Sequence, residues 1–177
     1  KAALPTDLSE KKLSTELDGS EVHGTLDSYT LFGNALTDYK FTTVWRLRDG
    51  ISQEWEEQLN LYAFLLRQNK YEVEALQILA IYRDWSINEA LRDKIYPQKQ
   101  GEVFNVPLWS HEKQESFVRR RLSLHKESSE RPDGDLPSCT DEERWTRPTV
   151  FRALRKGNKK ASKVFFREEE GLEYIKG

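Results

Sequence analysis

A turn at Gly33-Asn34 brings two aspartates and one lysine to one face of a predicted sheet. If this turn has two residues, Tyr29 lies opposite Asp38, and Asp27 lies opposite Lys40. Asp38 and Lys40 are two positions apart on one strand, so their side chains point to the same side. A turn two residues longer keeps all three on one face, whereas a slip of one residue separates them.

This trio has the residue types needed for metal chemistry at a phosphate. Two carboxylates on one face can hold a hard divalent cation such as Mg²⁺ or Mn²⁺, which prefers oxygen ligands. A neighbouring lysine can orient or activate a water molecule beside a phosphodiester. The alternative is a cross-strand ion pair between Asp27 and Lys40 on a solvated face, the more common arrangement of opposed charges in sheets.

A predicted helix after this hairpin adds two polar side chains. Apolar residues recur at helical spacing from Trp55 to Leu66, and Ser52 and Asn69 are suitable residues for the two ends. Gln58 and Tyr62 are four apart and therefore share a face beside the apolar stripe. Both can reach a nucleic-acid backbone next to the metal, although Tyr62 alone is equally well explained as a core residue.

Three segments of the chain resemble successive motifs of PD-(D/E)XK nucleases. The patterns are Gly-x-x-Asp, Asp-x-Lys and Gln-x-x-x-Tyr, and they occur in His23-Gly24-Thr25-Leu26-Asp27, Thr37-Asp38-Tyr39-Lys40 and Trp55-Glu56-Glu57-Gln58-Leu59-Asn60-Leu61-Tyr62. The resemblance covers Leu8 to about Trp85. It is greatest to the branch that contains phage-type exonucleases and bacterial recombination nucleases.

The resemblance implies an α/β (α+β) fold, with a mixed central β-sheet flanked by helices in a restriction-endonuclease-like core. It implies metal-dependent hydrolysis of DNA phosphodiester bonds that leaves a 5′ phosphate. It further implies that Asp27 and Asp38 bind Mg²⁺ or Mn²⁺, that the carbonyl of Tyr39 adds a ligand, and that Lys40 positions the attacking water. By the same resemblance, Gln58 and Tyr62 are expected to support the site and touch the DNA strand.

The family usually has an opening helix whose Glu or His completes the metal site. Residues 1–9 are too short and irregular to form that helix, and the chain has no Met at its start or elsewhere, so we expect a fragment or a processed start. Glu10 and Glu16 are the nearest acidic candidates, but both fall where the first strand or its approach is expected. A chain without the missing ligand is expected to bind metal weakly or to be inactive.

The remaining sequence predicts further strands and helices around one core. Strands are expected at 13–17 and 21–29 around Asp18-Gly19-Ser20, at 35–42, at 74–82 and at 102–106, and a second helix from Ser110 to about His125. We expect a nuclease-like core at 1–126, a linker at 127–139, and a small basic ββα-like tail at 140–177. In the tail, two short strands flank Lys156-Gly157-Asn158, and a helix begins at Glu168.

Composition places the chain among globular proteins. It is 37% hydrophobic with a net charge of −2, and it has no apolar run long enough to cross a bilayer and no secretory signal, so we expect a cytoplasmic protein. The single cysteine, Cys139, excludes an internal disulfide and a cysteine-based metal cage. The tail also resembles tails of some phage-encoded DNA-metabolism proteins, which favours a phage or prophage setting in a bacterial host.

Basic residues cluster in the tail and on the second helix. No acidic residue occurs between Arg144 and Arg167, and the basic and aromatic residues inside this stretch are Trp145, Arg147, Phe151, Arg152, Arg155, Lys156, Lys159, Lys160, Lys163, Phe165 and Phe166. Such a stretch suits phosphates and unstacked bases. The alternative is a hairpin with aromatic side chains on the core and basic ones in water. Of Arg119, Arg120 and Arg121, at most two face one ligand, and we select Arg119 and Arg120.

Three functions remain open from the sequence. The first is a metal-dependent DNA nuclease, an exonuclease acting on duplex ends or single strands in phage recombination or end processing. The second is a nucleic-acid-binding module of the same fold without a complete metal site. The third is a protein-interaction or assembly factor. A homo-oligomer or a recombination partner protein is compatible with each of these functions.

Overall fold

The computed structural model of the protein describes residues 7–47, 50–136, 138–141, 143–144, 146–157 and 159–176. The chain divides into two compact units, Lys1–Glu130 and Arg131–Gly177. The opening residues 1–6, Trp145 and the Asn158 of the predicted tail turn lie outside the described residues.

The first unit contains a mixed five-stranded sheet with flanking helices, as the sequence predicts. Its elements are β1 (Leu8–Leu17), β2 (Ser20–Thr30), β3 (Ala35–Thr42), α1 (Gln53–Gln68), β4 (Ala75–Tyr82), α2 (Ile87–Arg92), β5 (Gly101–Val106) and α3 (His111–Ser129). The strands lie in the order β1-β2-β3-β4-β5, and only β3 and β4 pair in parallel. A parallel pair needs a crossover, and α1 provides it.

The turn between β2 and β3 differs from the predicted two-residue turn. Residues 31–34 form it, and the backbone N–H of Asn34 donates to the carbonyl of Leu31 at 3.3 Å. Tyr29 therefore pairs with Leu36 and not with Asp38, so the predicted register is wrong by two residues. Because two residues is one full period of a strand, the same side chains still share a face.

Helix α1 has the predicted bounds, with Ser52 at its N-cap and Asn69 at its C-cap. Its apolar residues Leu59, Ala63 and Leu66 are fully buried in one core cluster with the sheet. Burial of each large apolar side chain contributes about 1.5–3 kcal/mol relative to exposure. The helix is therefore held on one face of the sheet mainly by packing.

Buried polar groups join α1 to α3 and to the segment between β5 and α3. The side-chain amide of Asn60 donates to the carbonyls of Glu56 and Pro107, at 2.9 and 3.0 Å. Its oxygen accepts from the backbone N–H of Trp109 at 2.9 Å and from Gln114 at 3.1 Å. All hydrogen-bonding positions of a buried amide are thus used, which fixes the place of α3 beside α1.

Helix α3 ends at Ser129 and not near His125, and it extends into the predicted linker. Lys126 donates to the backbone carbonyl of Asp18 at 2.7 Å, so the last turns of α3 are attached to the tip of the first hairpin. The short helix α2 is not predicted from the sequence. Six residues are too few for helical periodicity to show.

The second unit is a two-stranded antiparallel hairpin followed by a helix, as predicted for the tail. Its elements are β6 (Phe151–Ala153), β7 (Lys163–Phe165) and α4 (Glu168–Lys176). Gly171 of α4 lies against the Phe165 ring, where an added Cβ would come within 3.5 Å of it. Among the described residues, no helix of either unit is long and apolar enough to cross a lipid bilayer.

We predict that Asn60→Leu lowers the free energy of unfolding of the first unit by about 2–4 kcal/mol, because it leaves several buried donors and acceptors unpaired. Urea unfolding followed by tryptophan fluorescence measures this change. Asn105→Ala removes an exposed amide of the same type and is the control. A similar effect of both substitutions would show that the buried network contributes nothing specific.

Candidate functional site

The candidate site is centred on the face of β3 that α1 covers. Leu36, Asp38 and Thr42 are buried on this face, and the half-buried Lys40 lies on the same face between Asp38 and Thr42. Asp38 is only 3% exposed. The charges therefore lie under a helix and not on the solvated face that a simple cross-strand ion pair would occupy.

Lys40 joins Asp38 to helix α1. Its Nζ lies 2.8 Å from Asp38 Oδ2 and donates to Gln58 Oε1 at 2.9 Å. The amide Nε2 of Gln58 donates to the hydroxyl of Tyr62 at 3.2 Å. The predicted common face of Gln58 and Tyr62 is confirmed, and one chain of contacts runs from Tyr62 to Asp38.

Tyr62 is also placed by a glycine of β2. A Cβ added at Gly24 would lie 2.7 Å from Cε1 of the Tyr62 ring and 3.2 Å from Cδ1 of Leu65. Only a residue without a side chain lets the helix approach the strand this closely. Gly24 and Tyr62 therefore form one packing contact, and it requires glycine at position 24.

Asp27 reaches β3 through its side chain and not through strand pairing. The last paired residues of β2 and β3 are Ser28 and Thr37, and beyond them Asp27 Oδ2 accepts from the backbone N–H of Tyr39 at 2.8 Å. The N–H and the carbonyl of one strand residue point to the same neighbour. The carbonyl of Tyr39 is therefore directed to the same side as Asp27.

Burial raises the pKa of the Asp38 carboxyl above its usual value of 3.8. The close contact and the charge of Lys40 lower this pKa, and the charge of Asp27 raises it further. Although Oδ2 contacts Lys40, it accepts no well-directed hydrogen bond. The ionised carboxylate is thus incompletely compensated within the protein.

The oxygen atoms here fit a hard divalent cation that keeps part of its water. Two carboxylates and one carbonyl are the donors, and Mg²⁺ commonly binds one or two carboxylates, waters and a phosphate. Among the described residues, no group of three or more Asp, Glu, His or Cys side chains could hold a metal ion.

The two glutamates considered as further ligands occupy different parts of β1. Glu16 pairs with Glu21 near the end of the first hairpin. Glu10 is exposed, has a positive φ of 44°, and interrupts the β1–β2 pairing between Ser9 and Lys11, opposite Asp27. Glu10 therefore lies on the strand next to the site, but it forms no metal-binding cluster with the two aspartates.

The arginines selected on α3 have different surroundings. Arg119 forms ion pairs with Asp18 and with Glu115, so its charge is already partly balanced. Arg120 is exposed, and its guanidinium carbon lies 5.5 Å from the centre of the Phe117 ring. Arg120 is the better placed of the two for an anionic ligand.

The basic residues selected in the second unit all lie on its surface. Those residues are Arg147, Arg155, Lys156, Lys159 and Lys160. Within the described part of the chain, no carboxylate forms an ion pair with any of them. Their charges are available to an anionic ligand.

A cleft beside Gln58 was not predicted from the sequence. It has a volume of about 440 Å³, and it is lined by Glu21, Val22, His23, Glu54, Glu57, Gln58, Leu61, Phe117, Val118, Arg121, Leu122 and His125. These residues come from β2, α1 and α3. No pattern within one element indicates such a lining, because the three elements meet only in the folded chain.

Comparisons with known proteins give distant likenesses only. No family model matches the chain, and no curated protein matches it. The structure of the protein SSO0001 is similar over 67% of this chain and 50% of that one, with 15% identity and a TM-score of 0.41. A Eubacterium rectale protein named "putative exonuclease" is similar over 85% of this chain and 54% of that one, with 19% identity and a TM-score of 0.47. This chain thus spans about half the length of either protein.

We predict that Gly24→Ala lowers the free energy of unfolding by about 1–3 kcal/mol, because the added methyl group must displace the Tyr62 ring. Denaturant unfolding measures the loss. Gly134→Ala is the control, since nothing lies within 4 Å of a Cβ at that position. Equal stability of Gly24→Ala and the unaltered protein would contradict the close approach of α1 to β2.

We predict that Asp38→Asn raises the melting temperature at pH 7 in EDTA. The pKa of Asp38 in the folded protein lies above 3.8. The stability that the protonated Asp38 carboxyl contributes is therefore fully present below pH 3.8 and is lost as the pH rises through the folded pKa. Melting curves from pH 4 to 8 should show the gain shrinking at low pH, where the unaltered carboxyl is protonated. Asp133→Asn, at an exposed aspartate, should show no such trend. A lower melting temperature for Asp38→Asn at pH 7 would mean that the Lys40 contact outweighs the desolvation.

Proposed function

We propose that this protein is a metal-dependent deoxyribonuclease whose site contains Asp27, Asp38, Lys40, Gln58 and Tyr62. The observation that supports it most is the chain of contacts from the buried Asp38 through the half-buried Lys40 to Gln58. An incompletely compensated carboxylate beside a fixed ammonium group is unfavourable for folding, so a role in function accounts for it. The order and spacing of these residues are those of the family that the sequence resembles.

The proposed metal is Mg²⁺ or Mn²⁺, held by the carboxylates of Asp27 and Asp38 and by the carbonyl of Tyr39. When bound, such an ion polarises a phosphoryl oxygen and lowers the pKa of a bound water. The raised pKa of Asp38 in the metal-free protein is compatible with this site, because a cation supplies the positive charge that the carboxylate lacks.

Lys40 has the central positioning task in this proposal. Its ammonium group is held by Asp38 and Gln58, and it can donate its remaining hydrogen to the attacking water or to a phosphate oxygen. Gln58 is held in turn by Tyr62, which restricts Lys40 to one orientation. Such preorganised donors stabilise charge that develops on the phosphate.

The finer proposal is an exonuclease that acts on duplex ends or single strands in phage recombination or end processing. In the reaction, water attacks phosphorus and the bond to the 3′ oxygen breaks. The 3′ oxygen takes up a proton and leaves as a hydroxyl group, and the phosphate stays on the 5′ carbon. Arg120 and the basic residues of the second unit are proposed to bind the DNA backbone. These contacts would make affinity fall steeply as the salt concentration rises.

A second candidate function is a non-catalytic nucleic-acid-binding module. The observation that favours it is the small donor set, since the described residues supply two carboxylates and no third acidic or imidazole ligand to the site. A weak metal site would leave DNA binding intact and cleavage absent. One assay separates the two candidates.

We predict that the purified protein degrades end-labelled linear duplex or single-stranded DNA in Mg²⁺ or Mn²⁺ but not in EDTA. Lys40→Ala should lower the rate by about 10²- to 10⁴-fold, because the proposed water-positioning group is lost. Lys12→Ala, at an exposed lysine of β1, should leave the rate unchanged. A covalently closed circular substrate should resist an exonuclease.

Three results would reject parts of this proposal. Cleavage of the circle would exclude a strict exonuclease. Equal rates for Lys40→Ala and the unaltered protein would exclude the proposed site. Absence of cleavage in either metal, with DNA still retained in a gel-shift assay, would favour the binding module.

A further inference from the structure

We propose that the C-terminal hairpin binds single-stranded nucleic acid on its outer face, which consists of Arg152, Leu154, Val164 and Phe166. Bases would stack on Phe166, and the basic residues of the β6–β7 connection, at the other end of this face, would contact phosphates of the same strand. This inference rests on the proposed function for the choice of nucleic acid as the partner. It adds a binding surface in the second unit and a preference for unpaired strands.

The pairing of β6 with β7 defines the two faces of this hairpin. Ala153 and Phe165 are buried on the inner face, where Gly171 of α4 lies against the Phe165 ring. The ring of Tyr174 lies 5.4 Å from that of Phe165 on the same side. Since successive side chains alternate along a strand, Arg152 and Val164 lie on the opposite face. Leu154 and Phe166 directly follow β6 and β7 and are exposed.

The outer face carries several large apolar side chains that are exposed to solvent. Arg152 pairs with Val164, and the exposed fractions of Leu154, Val164 and Phe166 are 54, 49 and 73%. Scattered apolar residues on a surface need no explanation, but Val164 lies between Leu154 and Phe166, and such a row on one small hairpin is typical of a binding surface. The Phe166 ring is open enough for a planar group to stack on it.

Charge indicates what kind of partner fits. From Arg144 to Arg167 there are nine basic residues and no acidic one. Arg155, Lys156, Lys159 and Lys160 lie in the connection between β6 and β7, next to Leu154 and at the end of the hairpin away from Phe166. Glu168, Glu169 and Glu170 begin α4, the helix that covers the inner face. The outer face therefore complements an anionic chain.

The combination of a ring and positive charge favours a single strand over a duplex. In a duplex the base faces are stacked on each other, so only phosphates are available to this surface. In a single strand a base can stack on an aromatic ring, which contributes about 1–3 kcal/mol per base. An anionic membrane surface also complements basic and apolar residues, and it is tested as the competing partner.

The test measures binding of the full chain in EDTA, so that no metal-dependent cleavage occurs. Fluorescence anisotropy compares a labelled single-stranded oligo-dT with a labelled duplex of equal length. Phe166→Ala should weaken binding of the single strand by about 5- to 150-fold, which corresponds to the loss of one stacked base. Duplex affinity should change less than about twofold, since phosphate contacts remain.

Matched variants separate stacking from general effects. Ile175→Ala removes an apolar side chain of α4 that is 68% exposed and should leave binding unchanged. Phe166→Trp should retain single-strand affinity because its ring also stacks. Lys159→Gln combined with Lys160→Gln should reduce the slope of log affinity against log salt concentration by about 1.4. Each phosphate contact on a single strand contributes about 0.7 to that slope.

Several outcomes would overturn the inference. Unchanged single-strand affinity of Phe166→Ala, or equal losses on single strand and duplex, would exclude a stacking surface. Binding to phosphatidylserine vesicles that depends on Phe166, without binding to oligo-dT, would make the partner a membrane. If the unaltered protein cleaves DNA and Phe166→Ala leaves single-strand affinity unchanged, only this binding surface is rejected. Binding that depends on Phe166 without cleavage in any metal would reject only the nuclease activity.

Discussion

Burial of the Asp38 carboxylate under α1 is the interaction around which the first unit is arranged. Asp38 lies on the face of β3 that also carries Leu36, so the core and the site use one strand surface. Lys40, two residues later, contacts both the carboxylate and α1. A charged group is thus held inside a hydrophobic layer by one neighbouring cation and by the helix above it.

The position of α1 depends on two close contacts of different kinds. At one end of the site, Gly24 allows the Tyr62 ring to lie directly against β2. Elsewhere, Asn60 is bonded to the segment that leads from β5 into α3. Packing sets the distance of the helix from the sheet, and the polar contacts set its position along the sheet. Lys40 can reach Gln58 only when both are satisfied.

The end of β2–β3 pairing shapes the other side of the site. Beyond Ser28 and Thr37 the strands no longer pair, and the Asp27 side chain takes the place of a backbone partner for Tyr39. Asp27 and Asp38 are therefore attached to the same stretch of β3, one through the Tyr39 N–H and the other as a residue of the strand.

The sequence by itself determined the local elements and the face on which the site residues lie. Ser52 and Asn69 mark the ends of α1, and strand alternation places Asp38 and Lys40 on one face. Both features depend only on residues within a single helix or strand, so the sequence is sufficient to predict them. The hairpin and helix of the second unit were predictable for the same reason. The resemblance to PD-(D/E)XK nucleases also depends only on residue types in order.

Only the tertiary structure decided how these elements meet. The four-residue turn at 31–34 changed the partner of Tyr29, and α3 was extended by the contact of Lys126 with the first hairpin. The balanced charge of Arg119 and the cleft beside Gln58 likewise involve segments far apart in the chain. The periodicity of a sequence indicates which side of an element is apolar, but it does not predict the distance between two elements. Those distances are set by side-chain packing in the folded protein.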